Sequence, residues 1–380
     1  MNDLLVVAGE ASGDRAAAAV VAKLRGQVRA FGLGGAALHG AGMELVGDLR
    51  DSTALGIGEA GARAGSVWWA WRSIVRAART RRPRAALLAN YSEFNTRLAA
   101  HLHGSGVRVL WYGAPQIWAW RANRATTLRR CVDRMAVMLP FEEELWRGHG
   151  VDAHYVGHPS LEPTALHRET ARHALGMTPR AAAVAVLPGS RPHEVRRLLV
   201  PMLDAYEQVR ADRASVDARV LVAASLNAPT RRWVDEVCRA RRVSAFETDP
   251  HVGAMGVLRA FDVALCASGT ASLEAALAGA VPVVAYRVGL ATELAARALL
   301  RTRDIALPNV LLGRRVFREL VQRDAKPSRL ATAVAETLDQ RVNLLTACEE
   351  LRSLFGASTT PSTAVARMIA PWIDETTRAA

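Results

Sequence analysis

The chain has 380 residues, of which 50% are hydrophobic and 22% charged, so it is too long for one ordinary domain and too apolar to be mainly disordered. Its four cysteines form no Cys-x-x-Cys pair, which argues against a disulfide scaffold and against a thiolate zinc site. The formal net charge of +13 comes almost wholly from arginine, since Lys23 and Lys326 are the only lysines. A coding sequence rich in G and C is one explanation. The functional alternatives are nucleic acid, an anionic membrane or phosphorylated substrates.

The N-terminus carries no basic segment before its apolar residues, and no uncharged apolar run approaches the roughly 18 residues that a membrane span requires. We therefore expect a cytoplasmic protein that reaches a membrane, if at all, from its surface.

Strand and helix patterns alternate along the chain. Leu4–Ala8 is a β-rich apolar run, a small-residue turn follows, and residues 16–24 have a helical pattern. The alternation continues to residue 139, breaks in a segment rich in Pro and Gly near residues 155–178, and then restarts. Because alternating strands and helices form parallel sheets, we predict an α/β protein with two Rossmann-like domains facing a central cleft.

Two turns that follow predicted strands have the composition of phosphate sites. In the first, Ser190 and Arg191 can both donate hydrogen bonds to phosphate, although an ordinary turn with a solvated arginine fits the same residues. In the second, Ser268, Gly269 and Thr270 open a helix whose N-terminus favours a diphosphate. Here the alternative is a simple capping box. Neither turn is a Walker loop or a dinucleotide fingerprint, so an NTPase or a nicotinamide enzyme is disfavoured.

Taken together, these turns and several others resemble the lipid-A-disaccharide synthase family. Eight collinear stretches, spread over about residues 4–335, carry the resemblance. They are Gly9–Asp14, Gln116–Arg121, Leu139–Glu142, Val156–Pro159, Leu187–Arg191, Ala267–Glu274, Ala285–Arg287 and Leu307–Asn309.

The resemblance implies a GT-B glycosyltransferase of family 19. That family joins UDP-2,3-diacylglucosamine to 2,3-diacylglucosamine 1-phosphate with inversion, releases UDP, and uses neither a metal nor another cofactor. It also implies three segments: an acceptor domain at 1–165, a UDP-sugar domain at 166–340, and a helical tail at 341–380 that crosses back. Oligomeric state is left open.

The resemblance further assigns roles to individual residues. Six of them would hold UDP: Ser190, Arg191, Ser268, Gly269, Thr270 and Glu274. Arg287 and Asn309 would line the cleft, while Glu10, Ser12 and Asp14 would face it from the acceptor domain. Helix capping after the first strand is the alternative for these last three.

One position departs from the family pattern. Where the family usually has an aspartate, thought to be essential, this chain has Asn90, and an amide cannot serve as a general base. Three explanations compete. Glu93, Glu10 or Asp14 supplies the carboxylate; the usual aspartate acts by a hydrogen bond that Asn90 partly imitates; or the chain is an inactive or repurposed relative. Glu93 is also explained as an ordinary charge at a helix N-terminus.

The segment 67–82 combines tryptophans with arginines. Drawn as a helix, it separates an apolar face from a basic one. Aromatic residues beside cations suit an anionic membrane surface, although an amphipathic helix packed on its own sheet gives the same pattern. We predict contact with the inner face of the inner membrane through Trp68, Trp69, Trp71, Arg72 and Arg76.

Three rival functions remain. One is another UDP-sugar enzyme of the same fold, such as an epimerase, and a second is a non-catalytic binding protein, suggested by Asn90. A nucleic-acid-binding protein, suggested by the charge, ranks last, because the arginines are dispersed and no recognition module is present.

Overall fold

A computed structural model describes residues 2–48, 60–119, 123–162, 166–287, 304–356 and 359–374. The chain divides into two compact units, one formed by Met1–Glu162 with Phe355–Ala380 and the other by Pro163–Leu354. The helix at residues 341–354, which we had assigned to the C-terminal tail, thus groups with the second unit. Trp120 and Arg121, which belong to one of the family-like stretches, lie outside the described residues.

The first unit contains a parallel sheet with the strand order β3-β2-β1-β4-β5-β6-β7. The strands are β1 (Asn2–Ala8), β2 (Val28–Gly34), β3 (Glu44–Asp48), β4 (Ala85–Ala89), β5 (Arg108–Tyr112), β6 (Arg134–Val137) and β7 (Ala153–Tyr155). The helices of this unit are α1 (Ala11–Lys23), α2 (Ala36–Gly40), α3 (Ala60–Arg81), α4 (Ser92–His103), α5 (Arg124–Leu128), α6 (Glu142–Gly148) and, after the second unit, α15 (Pro361–Asp374). A 3-10 turn spans Pro159–Leu161.

Helices cover both faces of this sheet, because its central strands are apolar on both sides. Leu4 and Val6 pack in one cluster with α1 and α15, whereas Leu5 and Val7 pack in the opposite cluster with α3 and α4. The near-continuous apolar run of β1 is therefore what a strand buried on two faces requires.

The second unit contains a parallel sheet with the order β10-β9-β8-β11-β12-β13. Its strands are β8 (Ala182–Leu187), β9 (Val216–Val222), β10 (Ser244–Glu247), β11 (Val263–Ala267), β12 (Val281–Tyr286) and β13 (Glu319–Val321). Its helices are α7 (Arg168–Ala174), α8 (Pro192–Asp212), α9 (Ala228–Ala240), α10 (Met255–Leu258), α11 (Thr270–Ala278), α12 (Leu307–Leu312), α13 (Pro327–Asp339) and α14 (Arg341–Leu354), with a 3-10 turn at Gln322–Asp324.

Both sheets reverse their strand order at one point. β1 lies between β2 and β4 in the first sheet, and β8 lies between β9 and β11 in the second. Ligands of open parallel sheets bind beyond the carboxyl ends of the strands at such a switch point. The residues after β1 and β4 include Glu10 and Asn90, and those after β8 and β11 include Arg191 and Gly269.

Candidate functional site

Asn90 occupies a narrow space at the switch point of the first sheet. It follows β4 with a left-handed backbone (φ 48°), its N–H donates to the Tyr112 carbonyl (3.1 Å), and its amide nitrogen donates to the Ser12 hydroxyl (3.3 Å). A Cβ on Gly113 would overlap the Asn90 amide oxygen, and one on Gly13 would come within 3.3 Å of the Asn90 Cβ. Two glycines thus leave room for this side chain between the first turn of α1 and the end of β5.

The neighbouring residues hold Asn90 in this conformation. Tyr91 is also left-handed (φ 54°), and its ring occupies the space that a Cβ on Gly9 would need. Asn95 is fully buried and donates from its side chain to the Asn90 carbonyl (2.7 Å). Asn95 was not predicted as a site residue, and no local pattern marks it, because its hydrogen bond depends on the left-handed backbone of Asn90 and Tyr91.

Glu10 and Ser12 lie on the same edge of the sheet as Asn90. The β1 and β4 strands pair through Ala8 and Ala89, so the turns that follow these two residues are neighbours. Glu10 is the half-buried N-cap residue of α1, and Ser12 lies in the first turn of that helix. The helix begins at Ala11, five residues earlier than the sequence pattern indicated.

Asp14 does not face a substrate position, which corrects our expectation. It is 5% exposed, and its two oxygens accept hydrogen bonds from the backbone N–H groups of Gly35 (2.7 Å), Ala37 (3.0 Å) and Leu38 (3.3 Å). Burial raises the pKa of this carboxyl although the three hydrogen bonds act to lower it. Asp14 therefore caps the N-terminus of α2 from the side, which helix α2 needs because its first N–H groups lack partners within the helix.

Glu93 is engaged in an ion pair. Its exposed carboxylate contacts the guanidinium of Arg124, a largely buried side chain on α5. It lies in the first turn of α4, where a negative charge is favourable. This geometry matches the alternative explanation of Glu93 as a structural charge.

In the second unit, Arg191 follows β8 and is paired with a residue that the sequence analysis missed. Its guanidinium lies 3.2 Å from the Glu194 carboxylate, and about half of the arginine side chain is exposed. Gly189 has φ 120°, and a Cβ there would lie 2.6 Å from a Glu194 oxygen. The available signal was the position of Glu194 in the first turn of α8, where a carboxylate is favourable.

The turn after β11 leaves open space at a helix N-terminus. Gly269 is the N-cap residue of α11 with φ 136°, and no atom of the described residues would lie within 4 Å of a Cβ there. Thr270 begins the helix, and the Ser268 hydroxyl donates to the Ile305 carbonyl (3.0 Å). Glu274 is 6% exposed on the same helix. Free N–H groups and the positive end of the helix dipole are thus available to an anion beside Gly269.

The strands β8 and β12 lie on either side of β11 in the second sheet. Burial raises the pKa of the Tyr286 hydroxyl, Glu194 raises it further, and Arg191 acts in the opposite direction. Arg287 follows Tyr286 directly and is half-buried.

Asn309 does not line an open surface, which is a second correction. It is fully buried; its amide nitrogen donates to the Phe317 carbonyl (2.9 Å) and to Glu319 (2.8 Å), and its oxygen accepts from the N–H groups of Val316 and Phe317. These four bonds exhaust the hydrogen-bonding capacity of an amide. Asn309 therefore holds in place the backbone of Val316 and Phe317, which precede β13.

Helix α3 exposes two of its three clustered tryptophans. The exposed fractions of Trp68 and Trp69 are 50% and 65%, and the Arg72 guanidinium lies 4.7 Å from the Trp68 ring centroid. Arg76 is also exposed. Trp71, in contrast, is half-buried and packs edge-on against Phe94 and His101 of α4, so Trp68 and Trp69 present most of the aromatic surface.

Comparison with known proteins decides the family. The lipid-A-disaccharide synthetase family model matches residues 4–367. The lipid-A-disaccharide synthase of Anaeromyxobacter dehalogenans strain 2CP-C is 39% identical over 369 residues, covering 95% of each chain. That of Myxococcus xanthus is 38% identical over 379 residues, covering 97% of this chain and 98% of its own. The chain belongs to the lipid-A-disaccharide synthase family.

Solved structures agree on the fold. MurG of Acinetobacter baumannii superposes with a TM-score of 0.55 at 14% identity, covering 98% of this chain and 100% of its own. A UDP-GlcNAc 2-epimerase from Neisseria meningitidis, bound to UDP-GlcNAc, gives a TM-score of 0.61 at 10% identity, covering 98% of this chain and 100% of its own. The predicted GT-B fold is confirmed. As a member of the lipid-A-disaccharide synthase family with this fold, the protein is a glycosyltransferase of lipid A synthesis.

The described residues contain neither a metal-binding cluster nor a membrane-spanning helix. Within them, no three His, Cys, Asp or Glu side chains are arranged to hold a metal ion. Likewise, none of the helices that the structure describes for this family member is long and apolar enough to cross a membrane.

Proposed function

We propose that the protein transfers 2,3-diacylglucosamine from its UDP conjugate to the 6-hydroxyl of 2,3-diacylglucosamine 1-phosphate, with inversion at the anomeric carbon. The observation that carries this proposal is the family match along residues 4–367. The geometry at the two switch points is compatible with each half of the reaction.

The second unit supplies the groups that a UDP diphosphate requires. Gly269 leaves the N-terminus of α11 unobstructed, and Thr270 provides a hydroxyl in its first turn. Ser190 is exposed, and Arg191 carries a half-exposed guanidinium that can bind phosphate oxygens bidentately. Their positive character stabilises the charge that develops on the departing UDP.

Three carboxylates of the first unit are candidates for the general base. Of the three candidates, Asp14 is buried under the backbone N–H groups of α2, and Glu93 is exposed in an ion pair with Arg124. Glu10 is preferred for its position, because it is half-buried at the N-cap of α1 on the edge of the sheet that also bears Asn90. We infer that Glu10 accepts the proton of the acceptor hydroxyl and that Asn90 contributes a hydrogen bond, not a base.

The atoms and electrons of the transfer balance without a further reactant. The acceptor O6 forms a bond to the anomeric carbon as the bond from that carbon to the UDP oxygen breaks. The electron pair of the broken bond leaves with UDP, and the O6 proton passes to Glu10.

The exposed face of α3 has the composition of a membrane-binding surface, and acylated substrates of this kind reside in a membrane. Trp68 and Trp69 present apolar rings with polar N–H groups, and Arg72 and Arg76 add positive charge beside them. Interfacial tryptophans and neighbouring cations bind anionic lipid surfaces. We propose that this face contacts the inner leaflet of the inner membrane.

The decisive experiment is a transfer assay with UDP-2,3-diacylglucosamine and radiolabelled acceptor on the wild type and on Glu10→Gln, Glu93→Gln and Asn90→Asp. We expect wild-type turnover, a loss of about 100-fold or more in Glu10→Gln, and little change in Glu93→Gln. Loss in Glu93→Gln with retention in Glu10→Gln would move the base to Glu93.

The amide of Asn90 favours a second candidate function, that of a catalytically altered relative. An inactive wild type whose Asn90→Asp variant gains turnover would support that candidate. The Asn90→Asp side chain is isosteric with the native one and can accept a hydrogen bond from the Ser12 hydroxyl, so the variant should fold.

A further inference from the structure

A buried carboxyl group joins two loops beside the acceptor edge of the first sheet. Glu142, the first residue of α6, is 2% exposed. One of its oxygens accepts from the Trp118 indole N–H (3.3 Å), and the other accepts from the Leu139 backbone N–H (3.2 Å). Burial raises the pKa of this carboxyl to about 7 against these hydrogen bonds. A carboxylate is expensive to bury, so one kept in this position calls for an explanation.

The two loops also present an aromatic pair. The rings of Trp118 and Phe141 meet edge to face with centroids 5.6 Å apart. Phe141 is 39% exposed, and Trp118 is half-buried. Trp118 follows β5 and Phe141 follows β6; in the sheet β5 lies beside β4, whose end bears Asn90, and β6 lies beside β5. All three residues therefore lie toward the carboxyl edge of one sheet.

The orientation of Trp118 decides what this surface can bind. Its N–H is directed at the buried Glu142, and the Phe141 ring has no polar atom, so the surface that the pair offers to a ligand is carbon. Apolar surface of this kind gains free energy when an apolar group covers it. In the reaction proposed above, the acyl chains are the parts of the acceptor with that character.

We propose that Glu142 is a positioning residue that holds Trp118 and Phe141 together as a contact for an acyl chain of the acceptor. This proposal rests on the proposed function, because it takes its ligand from that reaction. Glu142 acts through Trp118 and makes no contact with the reacting atoms.

The chemistry of Glu142 makes the proposal testable. A carboxylate accepts at both oxygens, whereas a glutamine has one oxygen and one NH₂ group. In Glu142→Gln, the NH₂ group cannot accept a hydrogen bond, so either the Trp118 indole N–H or the Leu139 backbone N–H loses its acceptor. In Trp118→Phe, the aromatic ring stays but the N–H that Glu142 holds is removed.

The experiment measures binding of a short-chain 2,3-diacylglucosamine 1-phosphate by titration calorimetry, which needs no turnover. We expect the acceptor Kd to rise roughly three- to tenfold in Glu142→Gln, because one hydrogen bond is lost. It should rise roughly tenfold in Phe141→Ser, because apolar area is lost. Combining Glu142→Gln with Trp118→Phe should add little to the Kd of Trp118→Phe alone.

The matched controls are Leu354→Ser, which alters a comparably exposed apolar residue of the second unit, and UDP binding by every variant. The acceptor Kd of Leu354→Ser and the UDP Kd of every variant should remain at wild-type values. Additive effects in the double variant, an unchanged Kd in Phe141→Ser, an equal loss of UDP affinity, or a wild type that does not bind the acceptor would overturn the proposal. A wild type that binds the acceptor but transfers no sugar would contradict the proposed function and leave this contact standing.

Discussion

Gly9 and Tyr91 interlock at the ends of two adjacent strands, because the Tyr91 ring fills the space into which any side chain at position 9 would project. The turn that carries Glu10 is thereby pressed against the segment that carries Asn90. Through this contact, the two halves of the proposed acceptor site keep a fixed separation.

Gly9→Ala should consequently impair both folding and turnover. We expect a loss of about 1–3 kcal/mol in the free energy of unfolding, because an added methyl group has to displace an aromatic ring. The kcat should fall more than the donor KM rises. Chemical denaturation and steady-state kinetics measure these effects. Gly148→Ala is the control, since in the part of the chain that the structure describes nothing lies within 4 Å of the added carbon. Recovery in Gly9→Ala/Tyr91→Ala would identify the ring as the cause.

Asp14→Ala should destabilise the protein without a specific catalytic defect. Three backbone N–H groups of the α2 N-terminus lose their acceptor, which costs about 1–3 kcal/mol. Asp14→Asn, which keeps one acceptor oxygen, should lose less. A kcat per folded molecule that fell tenfold or more at unchanged thermal stability would return Asp14 to the list of substrate contacts.

Arg191→Ala should weaken UDP binding roughly ten- to hundredfold, because charge-assisted hydrogen bonds to the diphosphate are lost. Titration calorimetry with UDP tests this directly. Arg318→Ala is the matched control, as that arginine is similarly exposed and also ion-paired in the second unit. Equal UDP affinity in both variants would show that Arg191 does not bind the diphosphate.

Glu142 should make stability depend on pH. Its pKa rises from 4.5 in the unfolded chain to about 7 in the folded protein, so the folded state binds the additional proton. Stability from this group is therefore present below pH 4.5 and declines as pH rises toward 7, by about 3 kcal/mol in all. Urea unfolding at pH 5 and pH 8 should show a larger decline for wild type than for Glu142→Gln. Parallel declines in the two proteins would contradict this assignment.

The double variant Trp68→Glu/Trp69→Glu should bind anionic liposomes at least tenfold more weakly while keeping its circular dichroism spectrum. Both rings are exposed, so the fold tolerates the change. Val342→Glu/Leu354→Glu, at exposed apolar positions of the second unit, is the control and should bind as wild type does. Liposome sedimentation across a salt series measures the effect, and undiminished binding by the tryptophan variant would remove α3 from the membrane surface.

Local patterns in the sequence were sufficient for the fold class and for the turns that matter. An apolar run such as Leu4–Ala8 is encoded by consecutive residues, and so is the glycine turn after it, because strand burial and turn chemistry depend on near neighbours. The family-like stretches around Arg191 and Gly269 were likewise identified from consecutive residues.

The tertiary structure alone decided which polar residues are committed elsewhere. Asp14 and Asn309 have the composition of ligand contacts, yet the partners that occupy them are 21–24 and 7–10 residues away in the chain. Glu142 meets Trp118 across 24 residues. Hydrogen bonds at such separations depend on which segments become neighbours in the fold. The periodicity within one segment does not determine those neighbours.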